Sequence, residues 1–190
     1  MTLLLAPDCH TRDRVATIQS CMFVNMVRYA EKPSAAVSVD IAAAPEVVWD
    51  LVTDINLPAR FSTEFQGADW LDDGEPKLGA RFVGRNGHDA VGAWETTCTV
   101  TWFEPVRAFG YTVNDLDSPA ARWRFNLEPT TEGTRLTLWA EMGPGRSGVS
   151  YFIHKYPDRE EEIIASRLEE WRSNMEATLS GIRTLAENDR

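Results

Sequence analysis

The chain has 190 residues, a length typical of one domain with a short extension. Apolar residues make up 43% and charged residues 25%, which excludes a collagen-like, disulfide-scaffold or wholly disordered chain. The net charge is −10, and no segment supplies the basic face that nucleic acid requires, so we expect neither nucleic acid nor an anionic membrane surface as a partner.

Cysteine usage and apolar runs indicate a cytoplasmic protein. Cys9, Cys21 and Cys98 are far apart and odd in number, a pattern that favours reduced thiols. No apolar run approaches the roughly 20 residues of a membrane span, so we expect no membrane insertion, and the N-terminus lacks the features of a secretory leader. The three histidines are scattered, and we expect no metal site and no cofactor.

The first 36 residues are predicted to be a poorly packed N-terminal arm (1–36), followed by one folded domain (37–190). Apolar residues of the arm fall at helical spacing only weakly, and Lys32-Pro33-Ser34 interrupts them; a docked helix is the alternative. Residues 37–41 alternate at period two and predict a strand. Pro45 then fits the first position of a helix, and a second short helix is predicted over residues 56–63.

Six further strands are predicted, over residues 67–71, 79–86, 93–103, 108–113, 121–127 and 134–142. Their short connections are typical of an antiparallel meander with one apolar face. In the longest strand, strict alternation places one set of side chains together on that face: Trp94, Thr96, Cys98, Val100 and Trp102.

The C-terminal segment has the most regular helical pattern. Asp158 could cap the helix, and seven residues then recur at alternating spacings of four and three: Ile164, Leu168, Trp171, Met175, Thr178, Ile182 and Leu185. The pattern predicts a helix of about 28 residues. Because a one-sided sheet must cover its apolar face, we predict an α+β fold, β-α-α-β(6)-α, in which a curved antiparallel sheet wraps around this helix and leaves a cavity.

This order and several local strings resemble the START-type helix-grip superfamily (SRPBCC), and within it the polyketide cyclase/dehydrase and lipid-transport family. The resemblance covers about residues 37–187 and is carried by Val39-Asp40-Ile41, Ala44-Pro45-Glu46-Val47-Val48-Trp49, Leu78-Gly79-Ala80-Arg81-Phe82, Trp123-Arg124-Phe125 and Gly133-Thr134-Arg135-Leu136-Thr137. It implies that an apolar or aromatic small molecule binds between sheet and helix, and that a minority of members are cyclases or dehydrases. The strings are packing and turn positions, so they specify fold more than function.

The aromatic face of the predicted sheet, with the helix opposite, is the candidate ligand-binding wall. An aromatic pocket with few polar groups suits flat apolar ligands, although an ordinary packed core is the alternative for each residue. The predicted wall consists of Trp94, Cys98, Trp102, Phe109, Tyr111, Trp123, Phe125, Trp171 and Met175.

For a catalytic role, the candidates to move a proton are Tyr111 inside the cavity and His154 or Arg81 at its mouth. His88-Asp89 could position a base, but a solvated turn is the favoured interpretation of the pair. The string Gly143-Pro144-Gly145-Arg146-Ser147-Gly148 matches G-x-G-x-x-G, yet no strand follows to complete a dinucleotide-binding unit, so we predict a flexible turn.

Three functions remain open on the sequence alone. The first is binding of a small hydrophobic molecule: a lipid, polyketide or aromatic metabolite. The second is a polyketide cyclase/dehydrase acting in the same cavity, and the third is a protein-interaction module of the chaperone-activator type. Binding predicts an apolar pocket with one or two polar groups, catalysis predicts converging titratable groups, and an interaction module predicts a filled interior.

Overall fold

The architecture is a curved seven-stranded antiparallel sheet closed by a long C-terminal helix, which confirms the predicted α+β helix-grip class. A computed structural model describes residues 27–188 apart from Asp73 and Ala90. The strands are β1 Ser34–Ile41, β2 Phe65–Trp70, β3 Arg81–His88, β4 Gly92–Glu104, β5 Ala108–Val113, β6 Ala121–Pro129 and β7 Thr134–Met142. They lie in the order β1-β7-β6-β5-β4-β3-β2, so β5 is central. The helices are α1 Pro45–Val52, α2 Gly148–Lys155 and α3 Glu160–Asn188.

Two helices differ from the sequence-based prediction. The predicted second helix is a single 3₁₀ turn at Leu57–Arg60, because Pro58 supports a first turn and the chain then leaves helical geometry at Phe61. The helix α2 was not predicted, since glycines dominate the string before it. Ser147 caps α2 by accepting a hydrogen bond from the backbone N–H of Ser150.

The described part of the predicted N-terminal arm packs on the domain. Tyr29 is buried, and its hydroxyl is 2.8 Å from the Gly145 carbonyl oxygen and 2.9 Å from Ser147 Oγ. The backbone N–H of Tyr29 donates to Glu160 at the start of α3. The first strand begins at Ser34, three residues before its predicted start at Val37. Residues 1–26, with the helical pattern considered there, lie outside the described residues.

The apolar stripe of α3 forms the helical half of the core. Its buried positions are Ile164, Leu168, Trp171, Met175, Thr178, Leu179, Ile182 and Ala186. The helix begins at Glu160, after a 3₁₀ turn at Pro157–Arg159 that contains the predicted cap Asp158. Full burial of a large aliphatic side chain contributes about 1.5–3 kcal/mol, so the stripe anchors the helix strongly to the sheet.

A bulge in β4 reverses the facing predicted for Trp102. Val100 pairs with Tyr111 but Trp102 pairs with Gly110, which leaves Thr101 as an extra residue and shifts the alternation by one. Trp102 therefore lies on the outer face of the sheet, where its ring centroid is 5.8 Å from the Arg124 guanidinium. The prediction that Trp102 points inward is wrong, because strict alternation takes no account of an inserted residue.

Candidate functional site

A cavity of about 880 Å³ lies between the inner face of the sheet and α3. Known ligand pockets span roughly 300–1,000 Å³, so the space is large enough for a drug-sized molecule. Every predicted wall residue except Trp102 lines it: Trp94, Cys98, Phe109, Tyr111, Trp123, Phe125, Trp171 and Met175. A packed interior, the alternative considered for this region, is not what the described residues form.

Aromatic side chains from neighbouring strands build the wall through edge-on and tilted contacts. The rings of Phe82 and Tyr111 are 5.0 Å apart at 78°, and those of Trp123 and Trp171 are 4.9 Å apart at 55°. Such pairs are stabilised beyond area burial by about 0.5–1.5 kcal/mol. Phe82 was not predicted as a wall residue, although its alternation with Val83 on β3 was a usable signal. Phe152, which α2 contributes, was not predicted either.

Tyr111 presents a polar group to the cavity. Tyr111 lies on the central strand β5, and its side chain lines the cavity. The part of the side chain that remains accessible therefore faces the cavity. Among the described residues, its hydroxyl has no hydrogen-bond partner. Burial, with a smaller contribution from Cys98, raises the pKa of Tyr111, which therefore stays protonated at neutral pH. Such a hydroxyl can donate a hydrogen bond to a ligand acceptor.

Cys98, beside Tyr111 on the neighbouring strand, is an inert thiol. Burial raises the pKa of Cys98 to about 12, against a smaller opposing effect of Thr96, whose hydroxyl lies 3.9 Å from the sulfur. A nucleophilic cysteine requires a lowered pKa, so this thiol serves as a small apolar wall element.

The indole N–H of Trp171 is buried and, in the part of the chain that the structure describes, has no hydrogen-bond partner. An unsatisfied buried donor costs about 1–3 kcal/mol. An unpaired N–H at this position indicates that the wall does not have the fully satisfied polar groups of a packed core.

An ion-pair network borders the mouth of the cavity. Arg167 of α3 forms a bidentate pair with Glu64, at 2.6 Å for each contact, and a further contact of 2.9 Å with Glu170. Burial opposes the charge of Arg167, but the two carboxylates outweigh it and raise the pKa of the guanidinium. His88, at the end of β3, lies 3.7 Å from Glu170 and belongs to the same rim. This network was not predicted from the sequence.

The other proposed proton-transfer groups lie away from the cavity lining. Arg81 pairs with Asp72 at 3.2 Å. His154 lies exposed in the last turn of α2, and Asp89 is also exposed. The structure thus separates Arg81 and His154 from Tyr111.

Metal binding and membrane spanning find no support in residues 27–188. With Asp73 and Ala90 left aside, no three histidine, cysteine or carboxylate side chains there are grouped to hold a metal ion. No helix of the same described part is long and apolar enough to cross a bilayer.

Comparisons with known proteins agree with this geometry. The family model described as polyketide cyclase/dehydrase and lipid transport matches residues 32–187. The solution structure of the Polyketide_cyc-like protein Cgl2372 from Corynebacterium glutamicum is 34% identical, with coverage of 82% of this chain and 92% of that one and a TM-score of 0.59. No curated protein matches the chain.

Two aromatase/cyclases are similar in fold. ZhuI from Streptomyces sp. R1128 is 18% identical, with 82% and 94% of the two chains covered and a TM-score of 0.57. The di-domain protein BexL is 19% identical with a TM-score of 0.60, where the match covers 82% of this chain and 50% of BexL. At these identities the likeness concerns the fold alone, whereas the family match spans most of the sequence. The chain belongs to the polyketide cyclase/dehydrase and lipid-transport family.

Proposed function

We propose that the protein binds a small, largely apolar molecule, such as a lipid, polyketide or aromatic metabolite, in the cavity between the sheet and α3. The observation that carries the proposal is the hydroxyl of Tyr111, which has no partner among the described residues and faces an aromatic cavity of about 880 Å³. Burial of ligand surface supplies affinity at about 25 cal/mol per Å², and the hydroxyl supplies one directional contact.

The charge state of the interior supports binding over catalysis. Tyr111 and Cys98 lie on neighbouring strands of the sheet side of the cavity, and burial raises the pKa of each. Both therefore remain protonated at neutral pH, and the raised pKa makes each a poor proton donor and leaves neither able to act as a base. The cyclase/dehydrase alternative draws on the family description and on the aromatase/cyclase relatives. It would require Tyr111 to act as an acid although burial raises its pKa.

The chaperone-activator alternative has less support, because it predicts a filled interior. A location in the cytoplasm is part of the proposal and is supported by the thiol of Cys98, which is buried and free.

Thr96→Trp tests the proposal, because Thr96 lines the cavity between Trp94 and Cys98 on β4. The neighbouring Thr97 is exposed and points away, so Thr97→Trp is a matched control. With the fluorescent probe N-phenyl-1-naphthylamine, we expect saturable binding by the wild type and by Thr97→Trp, and a loss of at least about tenfold in Thr96→Trp. Equal binding by all three chains would place the probe elsewhere and refute the proposal.

The cyclase alternative would prevail on a different result. If Tyr111→Phe retained the affinity of a polyketide substrate but abolished its conversion, the hydroxyl would be an acid catalyst rather than a binding group.

A further inference from the structure

We propose that the mouth of the cavity excludes anionic ligands, and that Glu64 and Glu170 achieve this by occupying the guanidinium of Arg167. The inference rests on the proposed function, since it names the charge of the ligand that the same cavity takes. The ligand is an uncharged or amine-bearing apolar molecule, and carboxylates, sulfonates and phosphates are rejected.

Arg167 lies directly against the aromatic wall. Its guanidinium carbon lies 5.6 Å from the centroid of the Trp171 ring, and its side chain is only 19% exposed. An anionic group on a ligand would pair best with this guanidinium, because a partly buried arginine forms strong charge-assisted hydrogen bonds.

Three of the five N–H donors of Arg167 are used by carboxylates. Nη1 and Nη2 each lie 2.6 Å from a different oxygen of Glu64, and Nη1 also lies 2.9 Å from Glu170 Oε2. Two carboxylates thus surround one guanidinium. An anion that entered to form a bidentate pair would have to displace Glu64, whose side chain is only 15% exposed and would be left without its partner.

The remaining charged residues of the cavity lining also disfavour an anionic ligand. The other lining cation, Arg159, is paired with Glu162 at 2.8 and 2.7 Å. Asp54 and Glu95 add two further carboxylates to the lining. Within the described residues, the lining therefore carries five carboxylates against two guanidiniums, both engaged, and the imidazole of His88, which faces Glu170 at 3.7 Å. An anion in the cavity would lose its hydration and gain no cationic partner, which is costly.

A pair of fluorescent probes isolates the effect of charge. N-phenyl-1-naphthylamine and 8-anilinonaphthalene-1-sulfonate share one aromatic skeleton and differ by a sulfonate. In titrations of the full chain at low salt, we expect the wild type to bind N-phenyl-1-naphthylamine at least about tenfold more tightly than 8-anilinonaphthalene-1-sulfonate. The preference should narrow as salt is raised from about 20 to about 500 mM, because part of the repulsion acts through solvent.

Glu64→Gln should relieve the exclusion. The substitution removes one of the two carboxylates beside Arg167 and brings the net charge of the cluster from −1 to zero, so we expect sulfonate affinity to rise by about three- to tenfold relative to the uncharged probe. Adding Arg167→Gln to this variant should restore the wild-type ratio. Glu141→Gln is the matched control, because Glu141 forms a pair with Arg122 at 2.9 Å, with side chains 21% and 23% exposed, outside the cavity lining. The ratio of its affinities for the two probes should equal that of the wild type.

The outcomes separate this inference from the proposed function. Failure of the wild type to bind either probe would overturn the proposed function itself. Equal wild-type affinities for both probes would overturn the exclusion while leaving cavity binding intact. If circular dichroism shows that Glu64→Gln does not fold, Glu170→Gln and the wild-type salt series decide. An unshifted ratio in a folded Glu64→Gln or Glu170→Gln chain, or a ratio insensitive to salt, would overturn the role of Arg167.

Discussion

Removal of the Tyr111 hydroxyl should affect binding without affecting the fold. The hydroxyl has no partner among the described residues, so Tyr111→Phe breaks no protein hydrogen bond, and we expect the free energy of unfolding to change by less than about 0.5 kcal/mol. A hydrogen bond to a bound carbonyl contributes about 0.5–1.5 kcal/mol, which corresponds to a loss of roughly two- to tenfold in affinity.

The assay compares 9-fluorenone with fluorene, which share a ring skeleton and differ in the carbonyl. Tyr111→Phe should weaken fluorenone binding and leave fluorene binding within about twofold of the wild type. Urea unfolding gives the stability of each chain.

Tyr29→Phe is the matched control, because the hydroxyl of Tyr29 is hydrogen-bonded to Gly145 at 2.8 Å and to Ser147 at 2.9 Å. This variant should be destabilised by about 1–3 kcal/mol. Equal weakening of fluorenone and fluorene by Tyr111→Phe, or a destabilisation as large as that of Tyr29→Phe, would refute the reasoning.

Three further predictions concern the fold. Gly110→Ala should destabilise the sheet by about 1–3 kcal/mol in urea unfolding, since the new Cβ would lie 2.6 Å from the backbone oxygen of Trp123. Ile182→Ala, at a fully buried position of α3, should cost about 2–5 kcal/mol by the same measurement. The backbone N–H of Tyr29 donates a hydrogen bond to Glu160 and lowers the pKa of its carboxyl. The ionised carboxylate therefore stabilises the folded state fully above its ordinary pKa of 4.5, and this stabilisation is lost as the pH falls through the lower pKa of the folded state. Glu160→Gln should therefore be less stable than the wild type at pH 7, with the difference shrinking at acidic pH.

Periodic features of the fold were predictable because they repeat along the sequence. The stripe on α3 and the alternation in β6 each arise from local geometry, so the sequence predicts the helix, the strands and most of the aromatic wall. The facing of Trp102 was not predictable by alternation, because a bulge inserts one residue in β4.

Features that depend on distant contacts were missed for a different reason. Glu64 and Arg167 are 103 residues apart in sequence, and neither stands out from the other charged residues until the fold brings them together. Likewise α2 has only eight residues, so its apolar residues Val149, Phe152 and Ile153 span too few turns to establish a helical period in the sequence. The aromatic wall of the cavity is therefore predictable from the local sequence pattern. The ion pairs at its mouth are not, because they depend on the tertiary structure.

The proposed function requires that a ligand binds between the sheet and α3. Intermolecular nuclear Overhauser effects between N-phenyl-1-naphthylamine and the isotope-labelled chain would test this directly. We predict contacts from the probe to Phe82, Tyr111 and Trp123, whose side chains line the cavity. Contacts confined to Trp102 and Arg124 on the outer face of the sheet would contradict the account.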